Sequence, residues 1–410
     1  MRLPLLFTLT LLVPALLADA YIYFRIPPRL RVKGHEIKIR RCFLVSAILT
    51  TLLLVACMCF PKRDAEASLI PVMWMLYTWA SIYIPKFLYV FLDLIGRIPE
   101  LFKRKAWPVG LYAGLPLASI CFIAMWWGAI AGRRQVMVTE VEVVSDKVPA
   151  AFDGFRIVQF SDAHVGTWGN DMSFLVKLTD RINSLHPDLI VFTGDLVNRR
   201  ADEAYPAVEV LNRLHAKYGV YSIMGNHDYG DYADWPSEEA HLADARELRS
   251  IQQKMGWHML DNTHAFIRIG NDSIALIGVE NWGEPPFKQY GDLKAAYPHD
   301  SDGKIQDGIF KILLTHNPMH WHEQVRHDTD IDLTLSGHTH AMQIMLGKPG
   351  TGFSPSAWKY PEWGGLYEHT NDRGQHTRLY VNIGCGEVAI PTRIGATPEI
   401  TLITLKCPHR

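Results

Sequence analysis

Hydrophobic and polar positions follow two regimes along the chain. Residues 3–24, 42–60, 69–95 and 109–131 are nearly continuous apolar runs, each close to the roughly 20 residues that cross a bilayer as a helix. From Gln135 onward, short apolar segments alternate with polar turns. Residues 136–144 and 155–160 read as strands, and residues 172–185 carry Leu175, Leu178, Ile182 and Leu185 on one helical stripe. Strands at 188–192 and 220–224 flank a helix near 207–214, and a further helix is predicted over 238–254. After it strands predominate, at 265–269, 273–279, 310–314, 333–335, 379–383 and 400–405. Residues 282–308 and 347–378, rich in Gly, Pro, Trp and Tyr, read as ordered loops. The pattern predicts a bundle of about four transmembrane helices over residues 1–134, followed by an α/β layered domain over 135–410.

The apolar runs set the membrane expectation. Pro4, Pro14, Pro71 and Pro85 are tolerable there because neighbouring helices satisfy freed carbonyls, and Trp74, Trp79, Trp107, Trp126 and Trp127 suit interfacial positions. Ala18-Asp19-Ala20 leaves a cleaved signal peptide as the alternative for the first run, although a cleaved segment would have to carry the basic residues behind it across the membrane. Arg25, Arg29, Arg31, Lys33, Lys38, Arg40 and Arg41 follow the first run, and Arg97, Lys103, Arg104 and Lys105 the third. The opposite side receives Arg2, Lys62, Arg63, Arg133 and Arg134. The positive-inside rule then gives a multi-pass protein of a cell's inner membrane with its α/β domain extracytoplasmic.

Composition narrows the chemistry. A hydrophobic share of 48% fits the membrane runs, and a net charge of −1 gives nucleic-acid binding no support. Cys42, Cys57, Cys59 and Cys121 lie in or beside the apolar runs, which leaves Cys385 and Cys407 without the spacing of a disulfide framework or zinc ribbon. Oligomeric state is not legible.

Histidines and carboxylates instead gather at strand ends. Ser336-Gly337-His338-Thr339-His340 follows the apolar run 331–335, and two imidazoles one residue apart on an extended segment share a face. Asp162 and His164 end the strand at 155–160, Asp195 the next, Asn226 the third, and His316 follows 310–314. Taken singly, Asp162 reads as a turn or cap, Asn226 as a turn residue and His316 as a packing histidine; together they make a mixed oxygen and nitrogen donor set without thiolate. Such a set suits borderline divalent ions, and seven ligands are too many for one catalytic ion but fit two that share a carboxylate. His320 and His322 lie close to His316 in sequence and default to packing or surface roles.

These stretches resemble the calcineurin-like metallophosphoesterase family in its full motif order: D-x-H, G-D-x-x-N/D, G-N-H-D/E, a lone His, and G-H-x-H, over roughly residues 150–405. The resemblance implies a four-layered α/β/β/α sandwich. It implies a first ion on Asp162, His164, Asp195 and His340, and a second on Asp195, Asn226, His316 and His338, with manganese the leading metal and iron or zinc the alternatives. His227 would contact the phosphate as a general acid, oriented by Asp228. The closing stretch 378–400 is similar to the membrane-associated branch, some members of which hydrolyse the pyrophosphate of UDP-2,3-diacylglucosamine. Ala341-Met342 stand where that branch usually has two glycines, and Asn198 replaces a commoner Asp.

The expected activity is a membrane-anchored phosphohydrolase in which a hydroxide bridging two ions attacks phosphorus. Aromatic residues at 282–286 and 358–367 point to a lipid-linked or membrane-surface phosphoester. The alternatives are a UDP-2,3-diacylglucosamine-type pyrophosphatase with a cytoplasmic site, and a catalytically silent binding module.

Overall fold

The computed structural model describes residues 5–29, 36–60, 68–285, 288–299, 308–371 and 374–408. The chain groups into two compact units, residues 1–130 with 389–392 and residues 131–388 with 393–410.

In the first unit the apolar runs form helices Leu5–Arg29, Glu36–Cys59, Ile70–Arg97 and Leu115–Ile130, the last entered through a wide helical turn at Gly110–Gly114. Leu3 and Pro4 of the first predicted run lie outside the described residues. Among the described residues, Ile37–Cys59, Ile70–Phe102 and Gly110–Arg134 are long and apolar enough to cross a membrane. Their outer faces are greasy: Leu49, Ile123 and Trp127 are more than half exposed, as is Leu17 on the first helix. Polar groups turn inward and pair, because an unpaired charge in hydrocarbon costs several kcal/mol. Lys86 Nζ meets Asp19 Oδ1 at 2.7 Å, and the Tyr83 hydroxyl donates to the same carboxylate at 2.6 Å. Asp93 takes Tyr21 at 2.5 Å and Arg97 at 3.3 Å.

The second unit is built on strands β1 (Met137–Val144), β2 (Arg156–Phe160), β3 (Leu189–Phe192), β4 (Val220–Ser222), β5 (Trp257–Met259), β6 (Thr263–Ile269), β7 (Asp272–Gly278), β8 (Lys311–Leu314), β9 (Leu333–Ser336), β10 (Gly365–Thr370), β11 (His376–Val381) and β12 (Glu399–Lys406). They form two six-stranded sheets, β1-β12-β2-β3-β4-β5 and β10-β11-β9-β8-β7-β6.

Side-chain alternation explains the layering. Leu189 and Val191 of β3, with Ile157 of β2, enter one core shared with Ile312 and Leu314 of β8 and with Leu333 and Leu335 of β9. The intervening Ile190, Phe192, Val158 and Phe160 pack the other way, under helices Ser173–Ser184 and Glu238–Lys254. On the far face of the second sheet, Leu313 and Leu379 pack with Leu293, Ala296, Trp321 and Val325 of short helical segments. The result is the α/β/β/α sandwich.

Two loop expectations are corrected. The stretch 347–378 contains β10 and the start of β11, paired antiparallel from Gly365↔Val381 to Thr370↔His376. The stretch 282–308 contains the short helix Leu293–Ala296, capped by Asp292, while 286–287 and 300–307 lie outside the described residues.

Candidate metal centre

The sheets position the site by bringing strand ends together. Strands β2, β3 and β4 run parallel in one sheet, and β8 and β9 run parallel in the other. Each carboxyl end feeds a loop carrying a donor: Asp162 and His164 after β2, Asp195 after β3, Asn226 after β4, His316 after β8, and His338 with His340 after β9. Backbone bonds lock these loops to one another: Asp162 N–H donates to Gly194 O at 2.9 Å, His164 N–H to Asp195 O at 3.2 Å, and Gly337 N–H to His316 O at 3.0 Å. His338 N–H donates to the Asp162 carboxylate at 3.0 Å, which ties the two sheets across the site.

The loops are strained where they deliver donors. Asp162, His164, Asp195, His338 and His340 all have left-handed backbones, with φ of 53°, 41°, 62°, 75° and 52°. Such conformations cost an L-residue about 1–2 kcal/mol and persist only where the surroundings over-determine them. Gly194, at φ 94°, is needed for a second reason: a Cβ there would lie 2.5 Å from Gly225 N and 2.9 Å from His316 Nδ1.

The donors fall into two groups that could each hold an ion: Asp162, His164, Asp195 and His340, and Asp195, His316 and His338. Asp195 belongs to both. Its Oδ2 lies 3.6 Å from His164 Nε2 and 3.1 Å from His316 Nε2, and His340 Nε2 lies 3.1 Å from Asp162 Oδ1. Asn226 Oδ1 joins the second group at 3.1 Å from His316 Nε2, as does His338 Nδ1 at 3.2 Å. All are buried except His338, which is partly exposed.

Outer contacts aim the imidazoles. His164 Nδ1 donates to Val197 O at 3.1 Å and His316 Nδ1 to Thr193 O at 2.8 Å, so in each ring Nε2 is the nitrogen that faces the cluster. His338 Nε2 bonds the Tyr360 hydroxyl at 2.9 Å and presents Nδ1 instead. His340 differs: Arg393 Nη2 lies 3.2 Å from its Nδ1, and a guanidinium can only donate. Arg393 is itself buried, caged by the carbonyls of Ile383, Gly386 and Ala396.

Charge is arranged for a cation. Burial alone would raise the Asp162 and Asp195 carboxyls, but His340 beside the first and His316 beside the second hold both well below the usual carboxylate range. Burial disfavours a charged His316, yet Asp195 overcomes it and raises the imidazole to about 9. Burial and a neighbouring histidine push His338 down to about 3 and keep His164 neutral. Two carboxylates, one amide oxygen and four imidazoles thus converge, a donor set that fits divalent ions.

One expected role is corrected. Asp228 does not orient His227: its carboxylate accepts the backbone N–H groups of Gly225, Asp195, Leu196 and Val197 at 2.9, 2.8, 2.8 and 3.2 Å. It holds the Asp195 loop in shape. His227 Nδ1 instead donates to Asn198 O at 2.7 Å, its ring stacks on Tyr232 at 4.1 Å, and burial lowers its pKa. The Asn198 side chain turns away, to Thr167 Oγ1 at 3.1 Å and Glu387 O at 3.4 Å. His320 is a packing residue, bonded to Thr315 and Gln324 and stacked on Trp282, and His322 pairs with Glu362.

Tyr232, Tyr360 and Arg393 are the groups that sequence reasoning missed. Asn226 Nδ2 donates to Tyr232 OH at 2.8 Å, which turns the amide oxygen toward the site. In the sequence these residues stand 6, 22 and 53 positions from the donors they touch.

Residues 155–342 match the model of the calcineurin-like phosphoesterase family, and residues 1–133 match that of a probable calcineurin-like phosphoesterase transmembrane domain. The chain is 34% identical over 281 residues to the metallophosphoesterase YkuE of Bacillus subtilis, covering 67% of this chain and 86% of that one. It is 31% identical over 333 residues to a transmembrane protein with metallophosphoesterase domain of Danio rerio, covering 78% and 70%. It is 28% identical over 281 residues to the UDP-2,3-diacylglucosamine pyrophosphatase LpxG of Chlamydia trachomatis, covering 59% and 80%. With its membrane helices and its buried Asp and His donors, the chain belongs to the calcineurin-like metallophosphoesterases, as a membrane-associated phosphoester hydrolase.

Proposed function

We propose that the protein is a two-metal phosphohydrolase acting on a lipid-linked or membrane-surface phosphoester. The observation that carries this reading is Asp195, whose one carboxylate belongs to both donor groups. Asp162, His164, Asp195 and His340 would hold one ion, and Asp195, Asn226, His316 and His338 the other. Bound there, such ions would supply Lewis-acid chemistry, neutralising phosphoryl charge and lowering the pKa of water toward neutrality. Manganese is the proposed metal, because carboxylate, amide and imidazole donors without thiolate suit it.

The chain's own residues supply the rest. His227, with Nδ1–H fixed on the Asn198 carbonyl, would deliver a proton to the departing oxygen from Nε2, and the burial that lowers its pKa makes its imidazolium the stronger acid. Asp228 acts by keeping Asp195 in place. The α/β domain is proposed to be extracytoplasmic on the distribution of Lys and Arg around the apolar runs. A second reading, a pyrophosphatase of a nucleotide-linked lipid with a cytoplasmic site, is favoured by the similarity to LpxG.

The test is turnover of a chromogenic phosphodiester by metal-loaded full-length protein, wild type against Asp195→Asn and His338→Ala. Both variants should lose essentially all activity, and full activity in both would falsify the two-metal reading. Comparing soluble esters with lipid phosphates separates substrate classes: a clear preference for soluble esters removes the lipid assignment.

A further inference from the structure

The segment that follows His340 turns through left-handed residues Ala341, Met342 and Gln343 and becomes extended at Ile344 (φ −130°, ψ 122°). From Ala341 to Leu346 the side chains alternate, with Ala341, Gln343 and Met345 buried and Met342, Ile344 and Leu346 outward. The outward face should be polar, yet every residue on it is a large hydrophobe, 44%, 37% and 68% exposed. Leu346 pairs with Phe353 across a tight hairpin, and Phe353, 51% exposed, meets Trp358, 81% exposed, ring edge to face at 6.4 Å. Leu346, Phe353 and Trp358 are joined by that pairing and that ring contact, and with Met342 and Ile344 they place five exposed apolar side chains within 17 positions, a density that soluble surfaces avoid.

The patch is fastened to the donor loop. Ser354 Oγ donates to Ala341 O at 2.6 Å, Ser356 Oγ to Thr339 O at 3.1 Å, and Thr339 Oγ1 to Trp363 O at 2.6 Å. The backbone of Leu346 exchanges two 2.9 Å bonds with that of Phe353, and Met345 N–H donates to Ile394 O at 2.9 Å. Lys359 Nζ donates to Tyr360 OH at 2.8 Å, and that hydroxyl bonds the donor His338. Residues 341–361 contain Lys348 and Lys359, both exposed, and no Asp or Glu.

We propose that residues 341–361 form an interfacial anchor. Met342, Ile344, Leu346, Phe353 and Trp358 enter the headgroup region of an anionic bilayer, and Lys348 and Lys359 meet its phosphates. A Trp beside Lys at the rim of an apolar patch is the composition that the interface selects, and the absence of acidic residues removes repulsion from anionic lipid. The anchor deepens the lipid-phosphoester reading and rests on it for the kinetic arm of the test alone.

The experiment uses the full chain in nanodiscs of phosphatidylcholine with an equal share of phosphatidylglycerol. Benzoylphenylalanine is introduced in place of Phe353 and, as a control of equal exposure, in place of Tyr205. Irradiation should give a lipid adduct on the peptide carrying position 353, at least tenfold above that at 205. Equal yields, or none at 353, overturn the anchor whatever the enzyme does. In the kinetic arm, the double variant Leu346→Ser, Trp358→Ser should raise KM for a bilayer-embedded lipid phosphate at least tenfold, with turnover of a soluble diester unchanged. An unchanged KM for the lipid substrate also overturns it. Failure of the phosphoesterase reading is distinguishable, because wild-type protein would then turn over neither substrate while the adduct at 353 still formed.

Discussion

Replacing Tyr232 by Phe tests how the Asn226 amide is aimed. The phenol hydroxyl accepts from Asn226 Nδ2 at 2.8 Å, which turns Oδ1 toward His316 Nε2, 3.1 Å away. Burial raises the phenol's pKa, so the hydroxyl stays protonated across the working range. Tyr232→Phe keeps the ring that stacks on His227 at 4.1 Å and removes only the oxygen. An amide without that partner can rotate by half a turn and turn its NH2 toward the proposed second ion. A hydrogen bond of this kind is worth about 0.5–1.5 kcal/mol net, about two- to twelvefold in the population of the ligating rotamer. Loss of an outer contact to a metal ligand typically costs about 10–100-fold in affinity, so a drop of roughly tenfold is expected. The assay is calorimetric titration of Mn into metal-free full-length protein, paired with the metal concentration for half-maximal turnover. At saturating metal kcat should return nearly to wild type, because every ligand is still present. Tyr232→Ala also removes the stacked ring and should lower kcat even when saturated. Unchanged metal affinity in Tyr232→Phe would refute the reasoning, and so would a kcat loss that added metal does not repair.

Three further outcomes follow from the same geometry. Burial raises the Glu203 carboxyl to about 7, so between the ordinary carboxyl pKa of about 4.3 and 7 the folded state binds more protons than the unfolded one. Stability is then full below that window and falls as pH rises through it. Glu203→Gln, which can still accept from Asn198 N–H at 2.6 Å, should remove on the order of 2–3 kcal/mol of that fall; a wild-type slope in thermal midpoints from pH 5 to 8 would count against it. Met342 sits at φ 44°, a conformation costing about 1–2 kcal/mol, and Met342→Gly should stabilise by up to about 1 kcal/mol after glycine's backbone entropy; a lower melting temperature would contradict the strain argument. Dialysis against a chelator should abolish turnover and Mn should restore it, whereas activity that survives dialysis to metal-free protein would rule out metal-dependent hydrolysis.

Much of the fold and the donor set was legible because both depend on short-range pattern. A buried strand such as β3 announces itself by Leu189-Ile190-Val191-Phe192, all four fully buried, and its donor Asp195 follows within three residues. The strands that escaped notice are those whose pattern is weakest. Strand β5 has only three residues, and β10 alternates Leu366, Glu368 and Thr370 outward at a sheet edge, with nothing apolar on that face beyond Leu366. Edge strands are short and polar because an open edge must not recruit other strands, and that makes them hard to tell from loops.

What the sequence concealed was direction. Asp228 stands next to His227, and adjacency suggests a pair, but its carboxylate is taken by four backbone N–H groups of its own and the neighbouring strand end. Nothing local could reveal this, since three of those donors belong to residues 195–197, more than 30 positions away. Ala341 and Met342 pose the opposite case. The family resemblance implies two glycines there, and the backbone would suit them, because both residues sit in left-handed conformations at φ 50° and 44°. The chain accepts that strain while leaving the Met342 side chain exposed, as Ile344 and Leu346 are. A glycine at 342 would relax the loop and open a gap in the apolar strip. If the strip meets the bilayer, Met342→Gly should therefore gain thermal stability while losing activity on lipid phosphate and keeping it on a soluble diester. A variant that improved on both substrates would mean that position 342 serves neither the strip nor the site.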